Sequence, residues 1–163
     1  MTTTEPSRLS NAAIEEYAQR VGDAHNAYSD EGRADLTRLV EVLGGKVETR
    51  DGSESLNVRG TGDFTIFLPH FTSPMRDRFT IAHELGHYFL HYRFADAAGE
   101  RSYARGGQNR AETEANVFAA ALLMPGQAFG QTWQAHGGDA WRVAGHFGVS
   151  PAAARVRAEV LGL

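Results

Sequence analysis

The chain has 163 residues, of which 42% are hydrophobic and 22% charged, with a net charge of −4 at pH 7. This is the size of one ordinary domain with a core of its own, and the negative charge argues against a protein that coats nucleic acid through a general positive field. The absence of cysteine excludes disulfides, thiolate metal sites and cysteine nucleophiles, so any metal must be held by histidine and carboxylate.

The first half of the chain is predicted to contain two helices followed by a small sheet. Residues 1–10 are polar and are interpreted as a loose leader, and helices are expected at about 11–21 and 32–43. Apolar residues then alternate with polar ones, which predicts an antiparallel meander with strands around 47–49, 56–58 and 63–68. The last strand is expected to be an edge that can pair with an extended substrate.

The second half is predicted to be mostly helical. Ser73-Pro74 is a typical helix start, and this helix should run to about His91 or Phe94. Residues 95–109 are interpreted as a surface loop, residues 110–124 as a helix, and residues 126–163 as a subregion of short helices. Helices on both sides of a meander indicate one α+β domain over residues 1–163.

No segment is predicted to cross a membrane. No apolar run approaches the ~18 residues that span a bilayer, and the chain opens without a signal peptide. Together with the absence of cysteine, these features favour a cytoplasmic location.

The third predicted helix carries the motif His83-Glu84-x-x-His87. Residues four apart on an α-helix lie on one face, so both imidazoles can reach the same metal ion, as they do in zinc sites. Glu84 lies beside that pair, where it can take a proton from water whose pKa the metal has lowered. The motif therefore predicts a catalytic zinc site with Glu84 as the base.

The surroundings of the motif favour metal binding over an exposed helix that merely carries two histidines. The helix is apolar on most sides and should be deeply packed, and buried imidazoles need polar partners. Gly86 lowers the intrinsic helix propensity by about 1 kcal/mol, and the expected gain is room for another backbone to pass close by. The apolar residues on which this argument rests are Phe79, Ile81, Ala82, Leu85, Phe89 and Leu90.

A catalytic zinc usually has three protein ligands, and the residues themselves leave the third one open. His91 is excluded because it lies ~12 Å along a straight helix from His83, which makes it a structural or supporting residue. The next helix offers Glu112 and Glu114, which flank its apolar stripe on opposite sides. The helical wheel does not choose between these two carboxylates, and both are also explained as favourable charges at a helix start.

Two linked stretches closely resemble the ImmA/IrrE family of metallopeptidases. The first is the metal helix, residues 78–88, and the second is residues 114–125, which begin with Glu114-Ala-Asn and end with Leu-Leu-Met-Pro. The C-terminal residues 147–163 are similar to that family's last helical segment. The resemblance covers roughly Leu36 to the C-terminus, and two motifs at the family spacing are more specific than the five-residue signature alone.

The resemblance implies a zincin-like domain with a small antiparallel sheet, the His83–His87 helix and a helix-turn-helix-like C-terminal segment. It also implies that Glu114 is the third ligand beside His83 and His87, with Zn²⁺ as the ion and Mn²⁺ or iron as alternatives. Family members cut repressors of the helix-turn-helix type, so the expected partner is such a repressor. The chain is similar to the short family form without a sensor domain.

Two other functions are weighed against the peptidase. The spacing around Gly148 and Ser150-Pro151 fits a helix-turn-helix that binds DNA, but residues 126–163 carry three arginines against Asp139 and Glu159, a net of only +1. A packed helical hairpin is therefore favoured over direct DNA contact. The other alternative is an inactive relative that binds metal and a partner, against which the intact Glu84 argues. The oligomeric state is left open.

Overall fold

The computed structural model describes residues 3–106 and 109–163, so the predictions for residues 1–2 and 107–108 lie outside the described residues. The helices are α1 (Asn11–Ala24), α2 (Leu36–Val42), α3 (Pro74–Gly86), α4 (Arg110–Leu123), α5 (Gly126–Ala135), α6 (Ala140–Phe147) and α7 (Pro151–Val160). The strands are β1 (Gly45–Thr49), β2 (Ser55–Gly60), β3 (Asp63–Leu68) and β4 (Arg101–Ala104). Among the described residues, no helix combines the length and the apolar character that a bilayer crossing requires.

Capping residues set the starts of the helices. The Ser73 side chain accepts a hydrogen bond from the backbone N–H of Arg76, which confirms the predicted start of α3. In the same way Asn109 caps α4. Asp35 accepts from the N–H of Arg38, and α2 consequently begins at Leu36 rather than at Gly32 as predicted.

The helix that carries the histidines continues beyond Gly86 with a wider turn. Residues His87–Arg93 form a π-helix, which we call the π segment, so the predicted end near His91 or Phe94 is confirmed while the geometry of the last turns differs. π-helical turns are rare and frequently occur at functional sites. Here the wider turn brings His91 against His87, with the two ring centres 5.0 Å apart.

The sheet is mixed and not an antiparallel meander, which corrects the prediction. The strand order is β1-β3-β2-β4, with β1 parallel to β3 and the other neighbours antiparallel. Glycines permit this arrangement: a Cβ on Gly44 would lie 2.0 Å from the carbonyl oxygen of Gly62, and one on Gly45 would meet the Phe64 ring at 2.4 Å. Only bare backbone lets the start of β1 lie this close to β3.

Two further predictions about strands are wrong. β3 lies between β1 and β2, so it is an interior strand and cannot be the edge that binds substrate. Residues 95–109 were expected to be a loop, but within the described part of that stretch β4 pairs with β2. The sequence of β4 is polar and charged, so its side chains do not show the apolar alternation that predicts a strand. The strand forms through backbone pairing with β2 and the buried side chain of Tyr103.

Helix α4 packs against α1 on one side and α3 on the other, and its contact with α3 is close at one point. A Cβ on Gly86 would lie 3.0 Å from the Cα of Ala115 and 3.2 Å from the Cβ of Phe118. This confirms the prediction that Gly86 makes room for a neighbouring backbone. The core between these helices and the sheet contains, among others, the fully buried Ile14, Leu39, Leu56, Phe64, Ile66, Leu85, Leu90, Phe118 and Leu122.

Arginines join the C-terminal helices to the rest of the domain. Arg78 on α3 donates to the carbonyl oxygens of Ala34 and Phe147, and Arg33 donates to that of His146, so these guanidinium groups satisfy carbonyls at the end of α6. Gly148 ends α6 in the left-handed conformation, with φ at 71°. The predicted hairpin of α6 and α7 thus packs onto the domain.

We expect Gly86→Ala to destabilise the protein, because the added methyl group would press on the backbone of α4, which cannot rotate away. Overpacking of this kind costs about 1–3 kcal/mol, against a gain of about 1 kcal/mol in helix propensity. Gly130→Ala in α5 is the matched control, since nothing lies within 4 Å of the added Cβ, and it should stabilise by about 0.4–1 kcal/mol. Urea unfolding of the metal-free variants measures both, and equal stabilisation by the two substitutions would contradict the close contact.

Candidate metal centre

The motif histidines converge on one carboxylate of α4. His83 Nε2 lies 2.9 Å from one oxygen of Glu112, and His87 Nε2 lies 3.1 Å from the other. One donor atom from each of the three residues fits within 4.8 Å of the others. Ligands of a tetrahedral zinc ion, bound at about 2.0–2.2 Å, lie roughly 3.3 Å from one another. The three side chains can therefore hold one metal ion between them.

Glu112, and not Glu114, is the carboxylate beside the histidines, which corrects the predicted third ligand. The two glutamates are two residues apart on α4, or about 200° around the helix axis. Glu112 therefore faces α3, while Glu114 faces the π segment and the N-terminal residues. The helical wheel had left both acids open, and the family resemblance selected Glu114, which the structure does not place beside His83 and His87.

Asn116 also belongs to the site and was missed by the sequence analysis. Its side-chain oxygen lies 2.8 Å from His83 Nδ1 and can only accept, so His83 carries a proton on Nδ1. Nε2 is then the His83 nitrogen that faces Glu112 and can bind an ion in place of a proton. Asn116 is four residues after Glu112, hence on the same face of α4, and this Glu-x-x-x-Asn spacing was the signal that could have selected Glu112.

Both oxygens of Glu114 have other partners. Oε1 accepts from the Ser7 backbone N–H at 2.8 Å, and Oε2 accepts from the Ser7 hydroxyl and the Arg8 N–H at 2.9 Å each. His91 Nε2 lies 2.8 Å from Oε1. Burial raises the pKa of Glu114, but these hydrogen bonds outweigh it and leave the pKa below its ordinary value. The leader, predicted to be loose, is bound to α4 at these residues.

Glu114 is the end of a hydrogen-bonded chain that begins at His87. His87 Nδ1 lies 2.9 Å from His91 Nδ1, and His91 Nε2 in turn contacts the Glu114 carboxylate. Because an ionised carboxylate only accepts, His91 donates from Nε2 and accepts at Nδ1, and His87 donates from Nδ1. This network leaves Nε2 as the His87 nitrogen that faces Glu112, where it can bind an ion in place of a proton. The predicted supporting role of His91 agrees with this arrangement.

Glu84 is buried next to these residues without a polar partner for one of its oxygens. Its side chain is 2% exposed, and Oε2 makes no hydrogen bond among the described residues. Burial raises the pKa of Glu84 well above its ordinary value, and the nearby negative charges of Glu112 and Glu54 raise it further. A buried carboxyl with a raised pKa is suited to hold and release a proton near neutrality.

Burial and hydrogen bonding shift the pKa values of His87 and Glu112 in the directions that favour metal binding. Burial lowers the pKa of His87, which favours the neutral imidazole that can ligate. Burial raises the pKa of Glu112, but hydrogen bonds with His83 and His87 outweigh this and hold it below its ordinary value. The pKa shifts of His87 and Glu112 thus favour the forms in which these two residues bind a metal.

A cleft of about 440 Å³ opens onto the site and is lined by His83, Glu84, Glu112 and Asn116. Its other walls come from α3, including Phe79, and from residues near the sheet edge. Among the latter, Arg105 follows directly on β4 and pairs with Glu54 at 2.7 Å. The catalytic candidates are therefore open to solvent on one side.

Tyr88 has a structural role. It is 1% exposed, its ring stacks on Phe64 with centres 4.3 Å apart, and its hydroxyl accepts a hydrogen bond from the Gly62 N–H. It therefore holds the metal helix against β3 and does not line the cleft.

The donors present fit a divalent ion that accepts nitrogen and oxygen. Two imidazoles and one carboxylate lie close enough to hold one metal ion. Beside them are an adjoining cleft and an oxygen of Glu84 that has no hydrogen-bond partner among the described residues. No match was found among curated proteins. A family model described as the IrrE N-terminal-like domain, Peptidase_M78, matches residues 41–159. The matched range contains His83, Glu84, His87 and Glu112. With its metal helix, its acidic α4 and more than half of its length inside that match, the chain belongs to the IrrE-like metallopeptidase family.

Proposed function

We propose that this protein is a zinc-dependent endopeptidase. The observation that carries the proposal is the convergence of His83, His87 and Glu112 on one point beside the buried Glu84. Membership of a metallopeptidase family supports it. The two imidazoles and one carboxylate favour Zn²⁺, with Mn²⁺ as an alternative in the same ligands.

The chain's own residues supply the remaining steps of peptide hydrolysis. A bound zinc ion contributes Lewis acidity toward the scissile carbonyl and favours ionisation of water. Glu84 takes a proton from the water as the water oxygen bonds to the scissile carbonyl carbon. Glu84 then gives that proton to the departing amine nitrogen as the C–N bond breaks. Asn116 and the His91–Glu114 pair hold the two imidazoles in their orientations during this exchange.

We infer that β4 guides the substrate, in place of β3. β4 is the last strand of the order β1-β3-β2-β4, so in the part of the chain that the structure describes one of its backbone edges is not paired within the sheet. Its Tyr103 ring stacks on His87 with centres 5.7 Å apart, and Arg105 lines the cleft. An extended peptide added to this edge would pass beside the metal ligands.

The proposed substrate is a repressor of the helix-turn-helix class. The support is the resemblance of residues 78–88 and 114–125 to a family that cuts such repressors, together with the family match. A cytoplasmic location would follow from that substrate. Direct DNA binding is not proposed, because Arg157 is buried against Glu15 at 2.6 Å and Arg142 lies 3.6 Å from Asp139.

The two glutamates of α4 can be separated by their effect on metal binding. We expect Glu112→Ala to abolish stoichiometric zinc binding, because it removes a ligand. Glu114→Gln should retain the site but weaken it about 10–100-fold, because it perturbs only the support of His91. Elemental analysis and titration with a zinc-sensitive dye measure both. A larger loss of zinc binding in Glu114→Gln than in Glu112→Ala would instead identify Glu114 as the ligand.

Glu84→Gln should leave zinc content unchanged and reduce peptide cleavage at least ~100-fold, since general acid–base catalysis contributes about 10²–10⁴. The test compares new protein N-termini in cells that express the natural chain, Glu84→Gln, or the matched control Glu16→Gln on the exposed face of α1. Cleavage that depends on Glu84 and maps to helix-turn-helix regulators supports the proposal. Cleavage confined to other proteins contradicts the substrate class, and cleavage retained in Glu84→Gln contradicts the mechanism.

A further inference from the structure

An apolar groove continues from the cleft along the side of α4. It has a volume of about 400 Å³ and is lined mainly by small and aliphatic side chains of α4 and α7. Phe79 and Asn116 line both the groove and the catalytic cleft, so the two spaces share a wall. Asn116 is also the residue that contacts His83, which places the mouth of the groove directly beside the proposed metal ligands.

The dimensions of the groove suit a short stretch of polypeptide. Asn116, Ala120 and Met124 are spaced four residues apart and all line it, so it follows α4 for about 12 Å at 1.5 Å per residue. That length corresponds to roughly three or four extended residues at about 3.3 Å each. Its volume also falls within the ~300–1,000 Å³ of ordinary ligand pockets.

Apolar side chains are exposed along the groove. Val156 and Val160 on α7 are each 60% exposed, and Phe79 is 39% exposed at the mouth. The alanines at positions 120, 152 and 153 leave the space between α4 and α7 open. Exposed apolar residues that are contiguous and concave, and not scattered singly, are typical of binding surfaces.

The charged groups at the far end of the groove neutralise one another. The Arg157 guanidinium is buried, donates to the Met124 carbonyl oxygen and pairs with Glu15 at 2.6 Å. A charged side chain entering the groove would find no opposite charge there to offset its desolvation. The groove therefore selects for aliphatic or aromatic side chains.

We propose that this groove binds an apolar segment of the substrate on one side of the scissile bond. The proposal rests on the peptidase function and names the substrate feature that the site recognises: Leu, Ile, Val, Met or Phe side chains within about four residues of the cut. Continuity with the catalytic cleft is what assigns the groove to substrate. The C-terminal helix α7 is then a substrate-binding element.

The experiment has one arm that does not need activity. A peptide library derived from digested bacterial proteins, with photoleucine in place of leucine, is cross-linked to zinc-loaded Glu84→Gln. We expect cross-links at Val156, Val160 and Met124. In the second arm the natural chain, Val156→Asp and Val42→Asp digest the same library without photoleucine. Val42 is a matched control because it is 53% exposed on α2 and does not line the groove.

The expected result is a cleavage pattern with an apolar residue at a fixed distance from the cut. The kcat/KM of these cleavages should fall at least 10-fold in Val156→Asp, through a higher KM, and should be unchanged in Val42→Asp. Groove cross-links without any cleavage by the natural chain would support the groove and overturn the peptidase. Cleavage without groove cross-links and unaffected by Val156→Asp would overturn the groove alone, and the absence of both would overturn both. A dimer that Val156→Asp dissociates, with no peptide cross-link, would assign the groove to a second copy and overturn the proposal.

Discussion

The close crossing of α3 and α4 at Gly86 is the constraint on which the site depends. With no side chain at this position, the α3 backbone lies against Ala115, and the two helices are near enough for short polar side chains to meet. Glu112, three residues before Ala115, can then reach both imidazoles of α3, and Asn116, one residue after it, can reach the outer nitrogen of His83. A wider spacing would leave these groups buried and unpartnered, at a cost of several kcal/mol.

The site concentrates ionisable groups in a place where burial penalises them. Three imidazoles and three carboxylates lie in or next to the gap between α3, the π segment and α4, and most are under a tenth exposed. Mutual hydrogen bonds offset the desolvation cost of each pair, whereas removing one partner leaves the other buried and uncompensated. Glu84 is the exception, because its buried Oε2 has no hydrogen-bond partner among the described residues. Functional sites commonly depart in this way from the packing that stability alone would favour.

Segments remote in sequence stabilise this arrangement from the outside. Ser7 and Arg8 fill the hydrogen-bonding capacity of Glu114, which orients His91 and through it His87. The C-terminal hairpin is attached by arginine contacts to α3, and α7 forms one wall of the apolar groove. Ser7, Arg8 and α7 therefore contribute to the environment of a site whose candidate metal ligands come from two central helices.

The sequence by itself predicted the His83–His87 helix, its buried character, the room for a neighbouring backbone at Gly86 and a supporting role for His91. These features follow from the spacing and chemistry of residues that are near one another in the sequence, so no knowledge of the tertiary structure is needed to predict them. Only the tertiary structure decided between Glu112 and Glu114, because both lie at the edge of the α4 stripe and the choice depends on which side α3 occupies. It likewise decided that β1 pairs in parallel with β3 and that β4 forms the sheet edge. Strand order and edge position are set by long-range backbone pairing, on which local alternation of side chains carries no information.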